Sequence, residues 1–410
     1  MNLKDRIRKY ANLIVNTGLG INPKDVLVIR APVENYEFVR VLAEEAYKAG
    51  AKDVKTNFRD IKLNALRFEN VAEEVLTDIP QYFIDEQNHF VDNNYKLIAL
   101  IGEDPNGLKG LDPQKLMAAG KAQSQALKHF AAEQMRNKVS WCVVGAPTKA
   151  WARMIFEGID DELAVEKLWE LILDVSRVDE DPVKNWEAHI KLMGENADFL
   201  NENKFTKLKI KSSNGTDLEV GLPESYVFQA CGEDNLRGER FVANIPTEEV
   251  FSMPHRDRVN GLVYASKPLN YNGNVIEDFW FKFKDGKVVD FDAKKGREIL
   301  ENMLNMDEGA RHLGEVALVP YDSPISNTNR LFFETLYDEN ASCHLALGKA
   351  YPTCIENGDQ MSEDELKKRG VNDSIIHVDF MFGYKDTEIV GVRQDGREVL
   401  IFENGNWAKK

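Results

Sequence analysis

Apolar residues recur over residues 3–17 at Leu3, Ile7, Tyr10, Ala11, Leu13 and Ile14, the spacing of one helix face. Gly18 and Gly20 close that pattern, as glycine commonly does beyond a helix C-terminus. The period then changes. DVLVIRA (25–31) is a continuous apolar run of strand length, NYEFVRVLAEEAYKAGA (35–51) returns to helical spacing until Gly50, and KDVKTNF (52–58) is a second strand. KLIALIGE (96–103) and KVSWCVVGAP (138–147) repeat the strand theme, with a helix expected from Pro113 to Arg136 between them. Strands alternating with helices predict a parallel sheet flanked by helices. Residues 148–203 read as helical and strongly charged throughout, with Pro182 near the start of the last helix, where proline is tolerated.

After Asn203 the period drops to two. KLKIKSSNGTDLEVGL (207–222) is a hairpin around Asn214-Gly215, and DFWFKFKDGKVVDFDA (278–293) is another around Asp285-Gly286. A helix over 294–305 leads into the apolar HLGEVALVP (312–320), and IIHVDFMFGY (375–384) with residues 387–407 supplies closing strands. The expectation is therefore an α/β N-terminal domain over 1–204, a parallel sheet with a helical extension. A mixed α+β, strand-rich C-terminal domain over 205–410 would carry the metal-binding chemistry. A chain of 410 residues fits two domains of about 100–200 residues each.

Composition narrows the partners. A formal net charge of -16 opposes binding to nucleic acid or to an anionic membrane, both of which need a basic face. The charged, amphipathic MNLKDRIRKYANLIV lacks the form of a signal peptide, and no run approaches the roughly 20 apolar residues of a membrane span. Cys142, Cys231, Cys343 and Cys354 are scattered, with no CxxC. That pattern argues against disulfides and a cysteine-zinc site and places the protein in a reducing cytoplasm. No GxGxxG or GxxxxGK[ST] joins a strand to its helix, so the sheet carries no nucleotide fingerprint.

Candidate chemistry concentrates in DENASCHLALGKAYP (338–352), where Glu339, His344 and Tyr351 flank a small, apolar segment. A carboxylate and an imidazole in apolar surroundings must be paired, hydrogen-bonded or metal-bound. His377 and Asp379 are two apart in an apolar strand and share a face. Glu315 opens the strand EVALVP, with His312 three residues before it. Of Glu248 and Glu249 only one can face inward, and Glu249 is nearer the apolar Val250-Phe251. His255 reads as a loop residue or one supporting a ligand from behind, ahead of a ligand or a substrate contact, and Cys343, beside His344, as a buried inert thiol. Mixed carboxylate and imidazole ligands suit divalent Zn, Co or Mn rather than calcium. Six ligands exceed one tetrahedral zinc and suit two ions sharing a bridging carboxylate. No HExxH or GxSxG is present. The functional expectation is a two-metal hydrolase. A phosphoesterase is less favoured, because glutamate dominates the ligands, and a non-catalytic metal-binding protein is the third reading.

On the motifs NIPTEEVF, HLGEVALV, LFFETLYDENASCHLALGKAYP and HVDFM, the chain resembles the aminopeptidase T/S family of thermophilic-type dinuclear metalloaminopeptidases. The likeness spans nearly the whole chain and is most specific between Asn244 and Gly383. It implies metal ligands at Glu249, Glu315, Glu339, His344, His377 and Asp379, with Tyr351 as an active-site phenol beside them. Glu249, Glu315 and Tyr351 would then be the catalytic groups. It also implies two divalent ions (Zn, Co or Mn, with Mg possible), peptide substrates with a free N-terminus, and a homodimer. Family members often carry glycine where this chain has Glu248, which points to Glu249 as the ligand.

Overall fold

The apolar runs of the first half lie side by side. Val26–Pro32 pairs in parallel with Asp53–Arg59 on one side and with Lys96–Ile101 on the other, and Lys96–Ile101 pairs in parallel with Trp141–Gly145. A short fifth strand, Asn244–Ile245, adds in parallel to Trp141–Gly145. The computed structural model describes residues 1–271 and 273–408. Its two compact units are Met1–Ile190 with Gly232–Thr247, and Lys191–Cys231 with Glu248–Lys410. The division is not a single cut, because residues 232–247 return to the first unit. Two residues of strand carry no periodicity, so this return leaves no mark in the hydrophobic pattern. Its anchors are apolar: Phe241 and Ala243 pack with Val28, Phe90, Leu97, Phe130 and Trp141.

Helices cover the parallel sheet. Leu3–Leu13 buries Tyr10, Ala11 and Leu13 and runs on into a π-turn, Ile14–Gly18. The Tyr10 ring stacks on Phe38 at 5.8 Å, and Phe38 meets Trp169 edge-on at 5.1 Å. The single helix expected over 113–136 breaks at Leu127 into Pro113–Ala126 and Lys128–Met135. Both Leu127 and Phe130 then reach the core of the sheet. Three helices with no sequence expectation fill the next gap: Ile61–Asn70, Glu73–Thr77 and Gln81–Asp92. The first buries no side chain, so no apolar stripe announces it. Its marker is Asp60, whose carboxylate accepts the amides of Lys62 and Leu63 as an N-cap.

The second unit holds two antiparallel sheets. A nine-stranded sheet contains both expected hairpins. The other has four strands in the order Val250–Ser252, Leu313–Leu318, His344–Gly348, His377–Met381. Leu313–Leu318 and His344–Gly348 are buried at every position. Burial on both faces explains why HLGEVALV and HLALG read as unbroken apolar runs. Phe380 packs against Phe281 and Phe279 of the larger sheet, with ring centroids 5.0 and 5.9 Å apart. That contact turns His377 and Asp379, the alternate residues, to the opposite face. Among the described residues, no helix is long and apolar enough to cross a membrane.

Candidate metal centre

Register decides what meets on that face. Glu315 pairs with Ala346, which pairs with Asp379, and one row on lie Ala317, His344 and Met381. His377 pairs with Gly348. Residues paired across antiparallel strands point the same way, so Glu315, His344, His377 and Asp379 converge. The residues among them, Ala346, Ala317 and Gly348, are small enough to leave the ends of those side chains uncovered. Phe251 pairs with Ala317, so Glu249, two residues earlier, approaches the same face. Both adjacent glutamates are buried, and of the two it is Glu249 that lies within 4.8 Å of Glu315 and His344. Glu248 instead gives its amide N–H to Asn340 Oδ1 at 2.7 Å.

Two overlapping clusters result. Glu249, Glu315 and His344 form one, and Glu315, His377 and Asp379 the other. Within each, one ligand atom per residue lies within 4.8 Å of the rest. Glu315 belongs to both through different oxygens. Its Oε1 is 3.4 Å from His344 Nε2, and its Oε2 is 3.7 Å from His377 Nε2. Glu249 Oε2 lies 3.0 Å from His344 Nε2, and Asp379 Oδ1 lies 3.4 Å from His377 Nε2. Glu339, the last residue of the short helix Thr335–Glu339, is buried beside them.

The imidazoles are oriented from behind. His344 Nδ1–H donates to the Ser342 carbonyl at 3.1 Å, and His377 Nδ1–H donates to the Lys349 carbonyl at 2.7 Å. Both Nε2 atoms therefore face carboxylate oxygens. A ring lone pair cannot face a carboxylate lone pair at such distances without a second proton or a cation between them. His344 Nε2 and Asp379 Oδ1 are buried at ion-pair distance from their neighbours but reach hydrogen-bond geometry with none. The carboxylates also repel one another: two charges 4.8 Å apart cost about 3 kcal/mol at an effective dielectric of about 20.

Proton affinities carry the same stress. Burial, reinforced by Glu249, pushes the Glu315 carboxyl up to about 7. Burial and then the charges of Asp379 and Glu249 push Glu339 well above the usual carboxylate range. Burial opposes charging of His377, yet Asp379 and Glu315 outweigh it and raise its pKa to about 10. His344 is raised in the same way by Glu249 and Glu315. For Asp379 burial acts upward, but His377 and His344 hold it below its ordinary value. Without a cation, the cluster gathers protons. Nδ1-locked imidazoles, His344 buried and His377 half-buried, facing unsatisfied carboxylates are the donor set of a divalent-metal site, so these residues fit such ions.

Tyr351 flanks the cluster, its ring edge-on to His377 at 5.4 Å and to Phe251 at 6.0 Å. His312 and His255 stand apart. His312 Nδ1–H donates to the Arg256 carbonyl at 3.1 Å, and His255 Nδ1 accepts the Asp257 amide at 3.2 Å. The Cys343 thiol is buried and pushed up to about 12, an inert group. Sequence reasoning passed over two supporting residues. Asn340 is fully buried and joins both sides of the site. Its Oδ1 holds the Glu248 amide, and its Nδ2 donates to the Leu336 carbonyl at 2.8 Å, 3.5 Å from Glu339 Oε1. Asp338, raised by burial to about 7, accepts the amides of Phe332 at 2.8 Å and Glu334 at 3.2 Å, shaping the approach to Glu339. The signal available for both was their adjacency to Glu339 in DEN.

A family profile described as thermophilic metalloprotease (M29) matches residues 3–407. The chain is 44% identical over 401 residues to aminopeptidase 2 of Geobacillus stearothermophilus, covering 98% of this chain and 97% of that one. It is 43% identical over 404 residues to aminopeptidase AmpS of Bacillus subtilis (strain 168), covering 98% of each. Among solved structures, wild-type AmpT from Thermus thermophilus superposes with a TM-score of 0.92 at 37% identity, covering 100% of both chains.

Proposed function

Since the chain belongs to the M29 family of thermophilic metalloproteases, and so to the peptide-bond hydrolases, we propose that it is an aminopeptidase. In this reading it releases the N-terminal residue of peptides at a centre for two divalent ions (Zn, Co or Mn, with Mg possible). The observation that carries the two-ion reading is Glu315, whose two oxygens face two separate donor clusters. Glu249 and His344 would hold one ion and His377 and Asp379 the other. Glu315 would bridge them, and Glu339 would complete the set beside Asp379. When bound, such ions supply Lewis acidity toward the scissile carbonyl and toward water.

The chain's own groups do the rest. The Ser342 and Lys349 carbonyls fix both imidazoles with Nε2 inward. Four carboxylates would balance the charge of two divalent ions, so the loaded site would carry no net positive charge to oppose the α-amine of a peptide. Glu249 takes the proton of the attacking water and passes it toward the leaving amine, because both oxygens of Glu315 would be committed to the two ions. Tyr351, steadied by Phe251 and His377, donates its phenolic hydrogen bond to the oxyanion. Four buried cysteines, none of them in a disulfide among the described residues, support a cytoplasmic home, and the family resemblance supports a homodimer, which light scattering tests. The deciding experiment assays aminoacyl-anilides and nitrophenyl phosphates before and after chelation, then after return of Zn, Co or Mn. Anilide hydrolysis that disappears and returns is expected. Hydrolysis of phosphates alone, or anilide turnover in metal-free protein, refutes the proposal.

A further inference from the structure

The four-stranded sheet has two edges, and they differ. On Val250–Ser252 the edge is closed by Gln229, which gives its N–H to the Phe251 carbonyl at 2.8 Å and accepts the Phe251 N–H at 2.9 Å. The other edge is His377–Met381. Here the bonds from Lys349 N–H to the Ile376 carbonyl (2.7 Å) and from Phe382 N–H to the Cys343 carbonyl (2.9 Å) bracket the pairing. By antiparallel alternation, Val378 and Phe380 bond inward to Leu347 and Leu345. The main-chain groups of His377, Asp379 and Met381 therefore face outward. The Met381 carbonyl is taken by the Ser266 N–H at 2.8 Å. Among the described residues, the outward N–H and C=O of His377 and Asp379 make no hydrogen bond, although Asp379 is only 8% exposed. Buried main-chain groups without partners are rare, because each costs its full desolvation. His377 and Val378 are half-buried, so the partly exposed end of this edge is the one at His377, while Ser266 and the helix Thr335–Glu339 lie against the strand toward Met381.

We infer that the edge at His377 and Asp379 is the docking strand for the substrate's main chain. A peptide with a free N-terminus pairs there as a short extended strand while its α-amine enters the carboxylate-lined cluster. The inference rests on the aminopeptidase reading. Strand addition supplies affinity through main-chain bonds and leaves side chains free to vary. The same residues thus serve twice, with side chains in the cluster and backbone along the substrate. Because a strand turns alternate amides to opposite sides, only every second substrate amide is engaged.

The test uses the full, metal-loaded chain and leucyl-trialanine, with an ester replacing in turn the second and the third peptide bond. Both replacements lie beyond the scissile bond. The expected result is alternation: kcat/KM falls about tenfold or more at one position, as for a buried acceptor left without its donor, and changes less than about twofold at the other. Hydrogen exchange is read in parallel, with the first peptide bond of the ligand reduced to a methyleneamine so that it is not cleaved. The His377 and Asp379 amides should exchange about tenfold more slowly when it is bound. Equal turnover of both esters overturns the inference, and so does unchanged exchange at this edge. If the unmodified tetrapeptide is not cleaved, the aminopeptidase reading fails instead, and the exchange measurement still decides whether peptides dock here.

Discussion

Replacing Glu315 by glutamine separates the electrostatic cost of the cluster from its use. In the folded, metal-free protein, burial and Glu249 raise the Glu315 carboxyl to about 7, against an unfolded value near 4.5. Between those values the folded protein keeps a proton that the unfolded chain has lost, so stability falls as pH rises through the window. At pH 8 the full penalty applies. A shift of about two units or more corresponds to about 3 kcal/mol, close to the repulsion of one carboxylate pair at this spacing. Glu315→Gln keeps the shape and removes the charge. In chelator at pH 8 the variant should be more stable than the parent by about 1–3 kcal/mol, the lower figure allowing for desolvation of the new amide. At pH 4.5 the gain should shrink to a few tenths of a kcal/mol, roughly RT ln 2, since Glu315 is then protonated in the folded state and only half-ionised in the unfolded chain. Added Zn or Co should reverse the order, because the parent gains a bound pair of ions and the variant has lost the shared ligand. Thermal or denaturant unfolding at both pH values, with and without metal, reads all of these outcomes. A variant destabilised equally at both pH values in chelator, and responding to metal as the parent does, would refute the placement of Glu315 between two donor clusters.

Three further substitutions probe the surroundings. Tyr351→Phe should lower kcat by about 10²–10³, the usual cost of an oxyanion donor, with metal content by elemental analysis unchanged; lost metal would contradict its role. Asn340→Ala should weaken metal binding about 10–100-fold in a chelator competition, the usual effect of removing support behind a ligand; unchanged affinity would remove Asn340 from the site. Gly314→Ala should be strongly destabilising in an unfolding assay, because a Cβ there would lie 2.4 Å from the Lys349 carbonyl oxygen and 2.5 Å from that of Gly348. Backbone cannot yield as a side chain can. A cost of about 2 kcal/mol or more is expected for such overpacking, and a neutral result would show that the bulge beside Glu315 adapts.

The parts of this site written in the sequence are those that local periodicity controls. His377 and Asp379 share a face because strand side chains alternate, and IIHVDFMF is plainly a strand. The apolar setting of His344 follows from HLALG, and the hairpins follow from Asn214-Gly215 and Asp285-Gly286. What depends on partners from elsewhere is not written locally. Which of the two buried glutamates, Glu248 or Glu249, shares the face of the cluster depends on the pairing of Phe251 with Ala317 across to another strand. The division of Glu315 between two clusters depends on a register of three strands and a bulge at Gly314. Asn340 looked unremarkable because its partners, the Glu248 amide and the Leu336 carbonyl, are backbone groups. In the first unit, Ile61–Asn70 escaped notice because it buries nothing. Asn244–Ile245 escaped because two residues cannot show a period.

Anomalous diffraction from crystals soaked in zinc or cobalt tests the two-ion centre most directly. The expected map holds two peaks with Glu315 between them, Glu249 and His344 at one and His377 and Asp379 at the other. A single peak, or two peaks that do not share Glu315, would contradict it.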